Sequence, residues 1–167
     1  MARRAGQPSL PDLGPRGEGW LIGQFLLLGL LAAVGLPGLA DLWPHALVDW
    51  LALAAGAAAL ATAGWVVLAA FRELGRNLTP LPRPRDDAVL VETGIYAAIR
   101  HPIYAGLILG GLGWSGLTRS LLAVAVTALL AIYLDLKSRR EEAWLGERYT
   151  AYGAYRKRTK RLVPGLY

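Results

Sequence analysis

Apolar residues in this chain fall into long runs that carry almost no charge, and the charges collect between them. The first run covers residues 20–40, close to the ~20 residues that cross ~30 Å of hydrocarbon as a helix. Trp20 stands at one end and Trp43 just past the other, where indole rings favour the membrane interface. Gly35, Pro37 and Gly38 weaken its last turns. A turn over residues 41–44 leads into a second run, 47–71, rich in Ala52, Ala54, Ala55, Gly56, Ala57, Ala58 and Ala59. Small side chains let helices approach closely, so this span is expected to be packed between neighbours rather than facing lipid. Residues 72–93 are polar, with Arg72, Arg76, Asn77, Pro80, Pro82, Arg83, Pro84, Arg85, Asp86 and Asp87. Prolines at alternate positions forbid a helix there and favour extended backbone. This connection leads straight into the 94–106 stretch and is expected to be folded against another part of the molecule.

From Ile103 to Leu136 the chain is again apolar, broken at Ser115-Gly116-Leu117-Thr118-Arg119-Ser120. This predicts two helices, 102–116 and 120–137, joined by a tight turn. Each arm is ~15 residues, or ~22 Å at 1.5 Å per residue, short for a full crossing. The second has no helix breaker after Ser120 and is expected to run on through Lys137 and Arg139 to about Arg148. The pattern predicts an all-α, polytopic membrane helix bundle of about four transmembrane helices, ending in a helix hairpin. The organisation is a flexible arm (1–19), one membrane domain (20–167) and a charged tail (138–167). A cleaved signal peptide does not fit, because the apolar run starts late and is too long.

Composition sharpens this picture. Charged residues make up 18% of the chain, against about 25% in soluble domains, and mean hydropathy is +0.37. Cysteine is absent, which excludes thiolate chemistry and cysteine-bound metals. The histidines are His45 and His101, too few for a histidine-rich metal site. His45 and Asp49 sit near the outer end of the second span, in a hydrated interface. The net charge of +6 lies in the arm, the 72–101 connection and the tail, whereas the opposite turns hold Arg119. Basic residues beside apolar runs fit anionic headgroups better than nucleic acid. The positive-inside rule then puts both termini and the 94–106 stretch in the cytosol of a cell-membrane protein.

Three polar clusters fall on that side: the proline-rich connection, the stretch around Arg100-His101-Pro102, and Glu141-Glu142 with flanking bases. Lys137, Glu141 and Leu145 share one helix face. Pro102 suits the first turn of a helix, whose free amides would face the cytosol, open to a polar ligand group. A cationic or zwitterionic small molecule could bridge these pieces; S-adenosylmethionine fits, and so do several nucleotides. Other readings stay open. Arg100 and His101 could anchor a helix at the headgroups, Glu141 and Glu142 could be a solvated face paired with Arg139 and Arg140, and Tyr149, Tyr152 and Tyr155 could form an interfacial stripe.

The stretch Gly94-Ile95-Tyr96 followed by Arg100-His101-Pro102-Ile103-Tyr104-Ala105-Gly106 resembles the signature of the isoprenylcysteine carboxyl methyltransferase family, much of which related phospholipid N-methyltransferases share. Asn77-Leu78-Thr79-Pro80-Leu81-Pro82, Leu90-Val91-Glu92-Thr93-Gly94, Glu141-Glu142-Ala143-Trp144-Leu145 and Arg161-Leu162-Val163-Pro164 extend the resemblance over roughly residues 75–164. It implies an integral-membrane enzyme that moves a methyl group from S-adenosylmethionine to a lipidic acceptor, and the absence of a dedicated catalytic base in the sequence favours a prenylcysteine-like carboxylate or another already nucleophilic group. The implied cofactor pocket is cytosolic. Leu90, Val91 and Tyr96 would line it, His101, Pro102 and Tyr104 would bind the cofactor, and Glu141 would hold it from the last long helix. The family's substrate-facing arginine is replaced by Lys137, a point charge rather than a planar fork, with Arg139 or Arg140 as compensation. The tail departs from the family at Tyr149-Thr150, which leaves its contacts open. The alternatives are a phospholipid amine N-methyltransferase, an NADPH-dependent membrane reductase of the sterol-reductase type, whose C-terminal part carries a similar Arg-His-Pro-x-Tyr stretch, and a non-enzymatic membrane protein.

Overall fold

The structure, a computed structural model, describes residues 10–41, 43–84 and 87–167. Residues 1–9 of the flexible arm expected over 1–19, and Arg85 and Asp86 of the polar connection, lie outside the described residues. Helix α1 spans Glu18–Gly35 and loosens into a 3-10 turn over Leu36–Asp41, where Pro37 and Gly38 sit. Helix α2 spans Leu47–Leu74, and the Asp49 carboxylate accepts from the amides of His45 and Ala46 at its start. Helix α3 spans Pro102–Thr118 with Pro102 at its first position. Arg119 then takes a left-handed conformation, φ 51°, and Ser120 caps α4, its hydroxyl accepting from Ala123 N at 3.1 Å. Helix α4 runs unbroken over Leu121–Arg148, as the absence of a breaker predicts, and a short α5 follows at Tyr152–Arg158.

Among the described residues, three segments are long and apolar enough to cross a membrane: Glu18–Ala40, Leu47–Asn77 and Leu121–Arg148. The fourth, α3, rises about 25 Å over its length. It lies against α2, α4 and α1, and its contact with α2 is the most extensive in the bundle. Glycines set that closeness. A Cβ on Gly56 would meet Leu117 N at 2.6 Å, and one on Gly113 would meet Leu60 N at 2.8 Å. The core joins Leu31 of α1 to Ala123, Val126, Leu130 and Leu134 of α4, with Leu107 and Trp114 of α3 packed on it. Ser115 and Thr127 satisfy their hydroxyls on their own helices, at Gly111 O (2.7 Å) and Ala123 O (2.8 Å). Polar side chains inside a bilayer need such partners.

The burial of α2 corrects one expectation. Gly56, Ala63 and Ala70 are its buried positions, while Leu51, Trp65 and Leu68 are more than half exposed. The helix is an edge element with one stripe on α3 and the rest facing outward, and two of its ten alanines, Ala63 and Ala70, are buried while five are exposed. Small residues are spread over the whole helix, whereas packing uses one stripe of them. With Phe25, Leu26, Leu122 and Ile132 also exposed, the apolar outer surface suits lipid.

Candidate functional site

The starts of α1 and α3 and the ends of α2 and α4 meet at one end of the bundle, and the tail closes over them. Tail and α3 entry are tied by backbone pairing: Arg100 N donates to Lys160 O (2.8 Å), His101 N to Arg161 O (3.0 Å) and Lys160 N to Ala98 O (3.2 Å). The amide of His101, the residue before α3, is therefore taken by the tail. Tyr155 Oη donates to Tyr96 O at 2.8 Å and Tyr149 Oη to Ala88 O at 2.7 Å, so the tail also pins the 3-10 turn Gly94–Ala97 and the proline-rich connection.

Beneath this cover lies a cavity of about 380 Å³, within the ~300–1,000 Å³ range of small-molecule sites. Its polar end is walled by Tyr96, Arg100, His101, Tyr104, Glu141, Tyr149, Tyr152 and Tyr155, with Leu90 and Val91 from the connection. Its apolar end runs between Leu21, Phe25 and Leu28 of α1 and Val67, Phe71 and Leu74 of α2. These two helices make no extended contact with each other, so the apolar end lies in a gap between membrane helices.

The two adjacent glutamates do different work. Glu141 is on the cavity wall, and its Oε2 accepts from Tyr104 Oη at 2.8 Å and lies 3.6 Å from His101 Nδ1. Glu142 is buried on the next helix face, where Arg100 Nε (2.8 Å) and Arg161 Nε (3.2 Å) donate to its Oε1. Arg161 Nη2 donates to its Oε2 at 3.3 Å, and Arg156 Nε lies 3.6 Å from the same oxygen. His101 stacks on Tyr104, ring centroids 5.3 Å apart. Its Nε2 lies 3.3 Å from Glu142 Oε1 and makes no hydrogen bond among the described residues. Arg100 also donates to the carbonyls of Thr159 (2.5 Å) and Arg156 (3.2 Å). It is thus a tail-binding residue at the site's edge rather than a free headgroup anchor.

Burial raises the phenol pKa of Tyr96, Tyr152 and Tyr155, which keeps this aromatic wall neutral. Tyr152 and Tyr155 meet edge to face, centroids 5.9 Å apart. They sit on α5 and are buried, because the helix breaks at Tyr149 and the chain turns inward; the reading of an exposed interfacial stripe is replaced. Tyr152 Oη is buried without a hydrogen-bond partner among the described residues.

The structure thus brings Leu90, Val91, Tyr96, His101, Tyr104, Lys137 and Glu141 around one cavity. Two candidates stand apart. Pro102 is buried as the helix start and does not line the cavity. Arg140 points away, pairing with Asp12 and lying 4.1 Å above the Trp144 ring. Arg139 likewise pairs with Asp135 at 2.7 Å, so neither arginine stands in for Lys137. Sequence reasoning missed Gln24, whose Oε1 accepts from Lys137 Nζ at 2.5 Å. The signal was a lone polar residue inside an apolar span, which is costly in a membrane without a purpose.

The model of the phospholipid methyltransferase family matches residues 51–152, the end of the bundle that builds this cavity together with most of its walls. The cobalt-zinc-cadmium resistance protein CzcN of Cupriavidus metallidurans is 35% identical over 83 residues. That alignment covers 49% of this chain and 38% of CzcN, so the chain spans well under half of this relative. The family match covers more than half of the chain and agrees with the motif resemblance and with the membrane bundle: the chain belongs to the phospholipid methyltransferase family.

Proposed function

We propose that the protein is an integral-membrane methyltransferase that uses S-adenosylmethionine and methylates a lipidic acceptor at a carboxylate, with its cavity on the cytoplasmic side of the cell membrane. The observation that carries this reading is a single cavity with a polar, tyrosine-walled end and an apolar end open between α1 and α2. The donor set fits S-adenosylmethionine. Glu141, oriented by Tyr104, is an acceptor for an amino group or hydroxyls, the neutral tyrosines offer flat surfaces to an aromatic base, and Tyr152 Oη is a buried polar atom still lacking a partner among the described residues. Leu90, Val91, Tyr96, His101 and Tyr104 complete the wall. Bound there, the donor supplies an already activated sulfonium methyl.

The protein's part is then alignment and exclusion of water. The tail and the proline-rich connection cover the polar end, and a lipid chain enters sideways along Phe25 and Phe71 while its reactive group reaches the cavity. A carboxylate acceptor needs no general base. The family description favours a second reading, methylation of a phospholipid amine. That acceptor must first lose a proton, and the carboxylate on the cavity wall is Glu141.

Isothermal titration of purified protein with S-adenosylhomocysteine and with NADPH tests the donor. Binding of the former and not the latter is expected, and binding of NADPH alone would overturn the proposal in favour of a reductase. Transfer of labelled methyl from S-adenosylmethionine to a prenylated cysteine carboxylate, or instead to phosphatidylethanolamine, then separates the two acceptor readings.

A further inference from the structure

Lys137 is 1% exposed and forms no ion pair among the described residues. Its partners are Gln24 Oε1 at 2.5 Å and the Tyr104 ring, whose centroid lies 5.2 Å from Nζ. A buried ammonium with no counter-charge in contact is costly. The carboxylate one turn along, Glu141, attracts Lys137 through space without forming an ion pair with it, and its Oε2 is held by Tyr104. Lys137 and Gln24 both line the cavity, and they lie where α1 and α4 pass each other. Gln24 is the one amide or charged side chain of α1 between Gly19 and Gly35. An ammonium only donates, so the amide oxygen of Gln24 must face it. The amide nitrogen is then turned off Lys137, and it has no partner among the described residues.

Resting on the methyltransferase reading above, we infer that Gln24 is a specificity-determining residue for the acceptor. Its N–H donors and the Lys137 ammonium together bind an oxyanion carried by the lipid. Lys137 supplies the charge and Gln24 the direction, since the amide oxygen is fixed on Lys137 and the N–H donors of this cavity-lining residue are left for a ligand. The pair sits between the Glu141 end and the apolar gap lined by Leu21, Phe25 and Leu28. An acceptor whose acyl or prenyl chain lies in that gap would present its head group to them. The shared chemistry is an oxyanion next to a hydrocarbon chain, which a lipid carboxylate or a phosphodiester can supply.

Binding of matched probes to the full chain in detergent micelles tests this. N-acetyl-S-farnesylcysteine is compared with its neutral methyl ester, and dioleoylphosphatidylmethanol, a phosphodiester without an amine, with dioleoylglycerol. The expected result is an anion preference of about tenfold or more in one pair, as a charge-assisted hydrogen bond provides. The pair that shows it identifies the source of the oxyanion. Gln24→Glu keeps an oxygen facing Lys137 but removes the N–H donors, and is expected to bring the preference close to unity. Gln24→Met should do the same. S-adenosylhomocysteine affinity should stay within about twofold of the parent's in both variants, because the donor end is walled by other residues. Absence of an anion preference in both pairs, a preference that survives both substitutions, or loss of S-adenosylhomocysteine affinity in parallel would each overturn the inference. Failure of the parent protein to bind S-adenosylhomocysteine, with the anion preference intact, would instead sink the methyltransferase reading alone.

Discussion

At the scale of single residues, Glu141 and Glu142 show how one step along a helix separates ligand chemistry from folding. A helix turns about 100° per residue, so neighbours cannot share a face. Glu141 is turned to the cavity and touches Tyr104; Glu142 is turned into a nest of arginines. Their substitutions should differ accordingly. Glu141→Gln keeps the oxygen that Tyr104 Oη donates to and removes only the charge. It is expected to weaken S-adenosylhomocysteine binding by about tenfold or more while leaving the thermal midpoint in detergent unchanged. Titration calorimetry and a melting curve on the same sample check both halves. An unchanged affinity would remove Glu141 from the site.

At the scale of elements, the tail is held to the bundle through Glu142. Arg100 reaches it from the segment before α3 and Arg161 from the tail, and Arg161 also donates to Asp135 Oδ1 at 3.1 Å. Glu142→Ala leaves the largely buried Arg100 guanidinium without its counter-charge, a loss of about 3–5 kcal/mol for such a pair, while Arg161 keeps Asp135. The expected outcome is a lowered melting midpoint and rapid tryptic cleavage within Arg156-Lys157-Arg158, sites that the parent protein should protect. The helices that carry these groups are legible in the sequence, because a membrane span needs only length and apolarity to be recognised. The site is partly legible, since the Arg100-His101-Pro102 stretch and Glu141-Glu142 stand out as polar groups beside apolar runs. What is not legible depends on pairing across the chain. Gln24 meets Lys137 from 113 positions away, and no local pattern orders helices side by side. Nor can spacing show that Arg140 turns to Asp12 while Lys137 turns inward. On an isolated helix their offset fixes only the angle between them, and the position of α1 decides which one faces the cavity.

At the scale of the whole molecule, the charge distribution and the site coincide. The tail, the proline-rich connection and the residues before α1 gather at the end that holds the cavity. At the other end Arg119 Nη1 lies 3.5 Å from Asp49 Oδ2. Basic residues are retained on the cytoplasmic side during insertion, so the site end should face the cytoplasm, where a soluble cofactor could reach it while the acceptor arrives through the bilayer. The chain has no cysteine, so single cysteines can report each end without background. Leu121, 86% exposed at the start of α4, marks the far end, and Lys157, exposed on α5, marks the site end. In intact cells stripped of any outer membrane barrier, Leu121→Cys should react with a membrane-impermeant maleimide. Lys157→Cys should react only after the cells are opened. The reverse pattern would place the cavity outside, away from the cytoplasmic pool of S-adenosylmethionine, and would remove the topological support for that donor. Equal labelling of both before opening would mean that the four-helix crossing itself is wrong, since each end would then reach the same compartment.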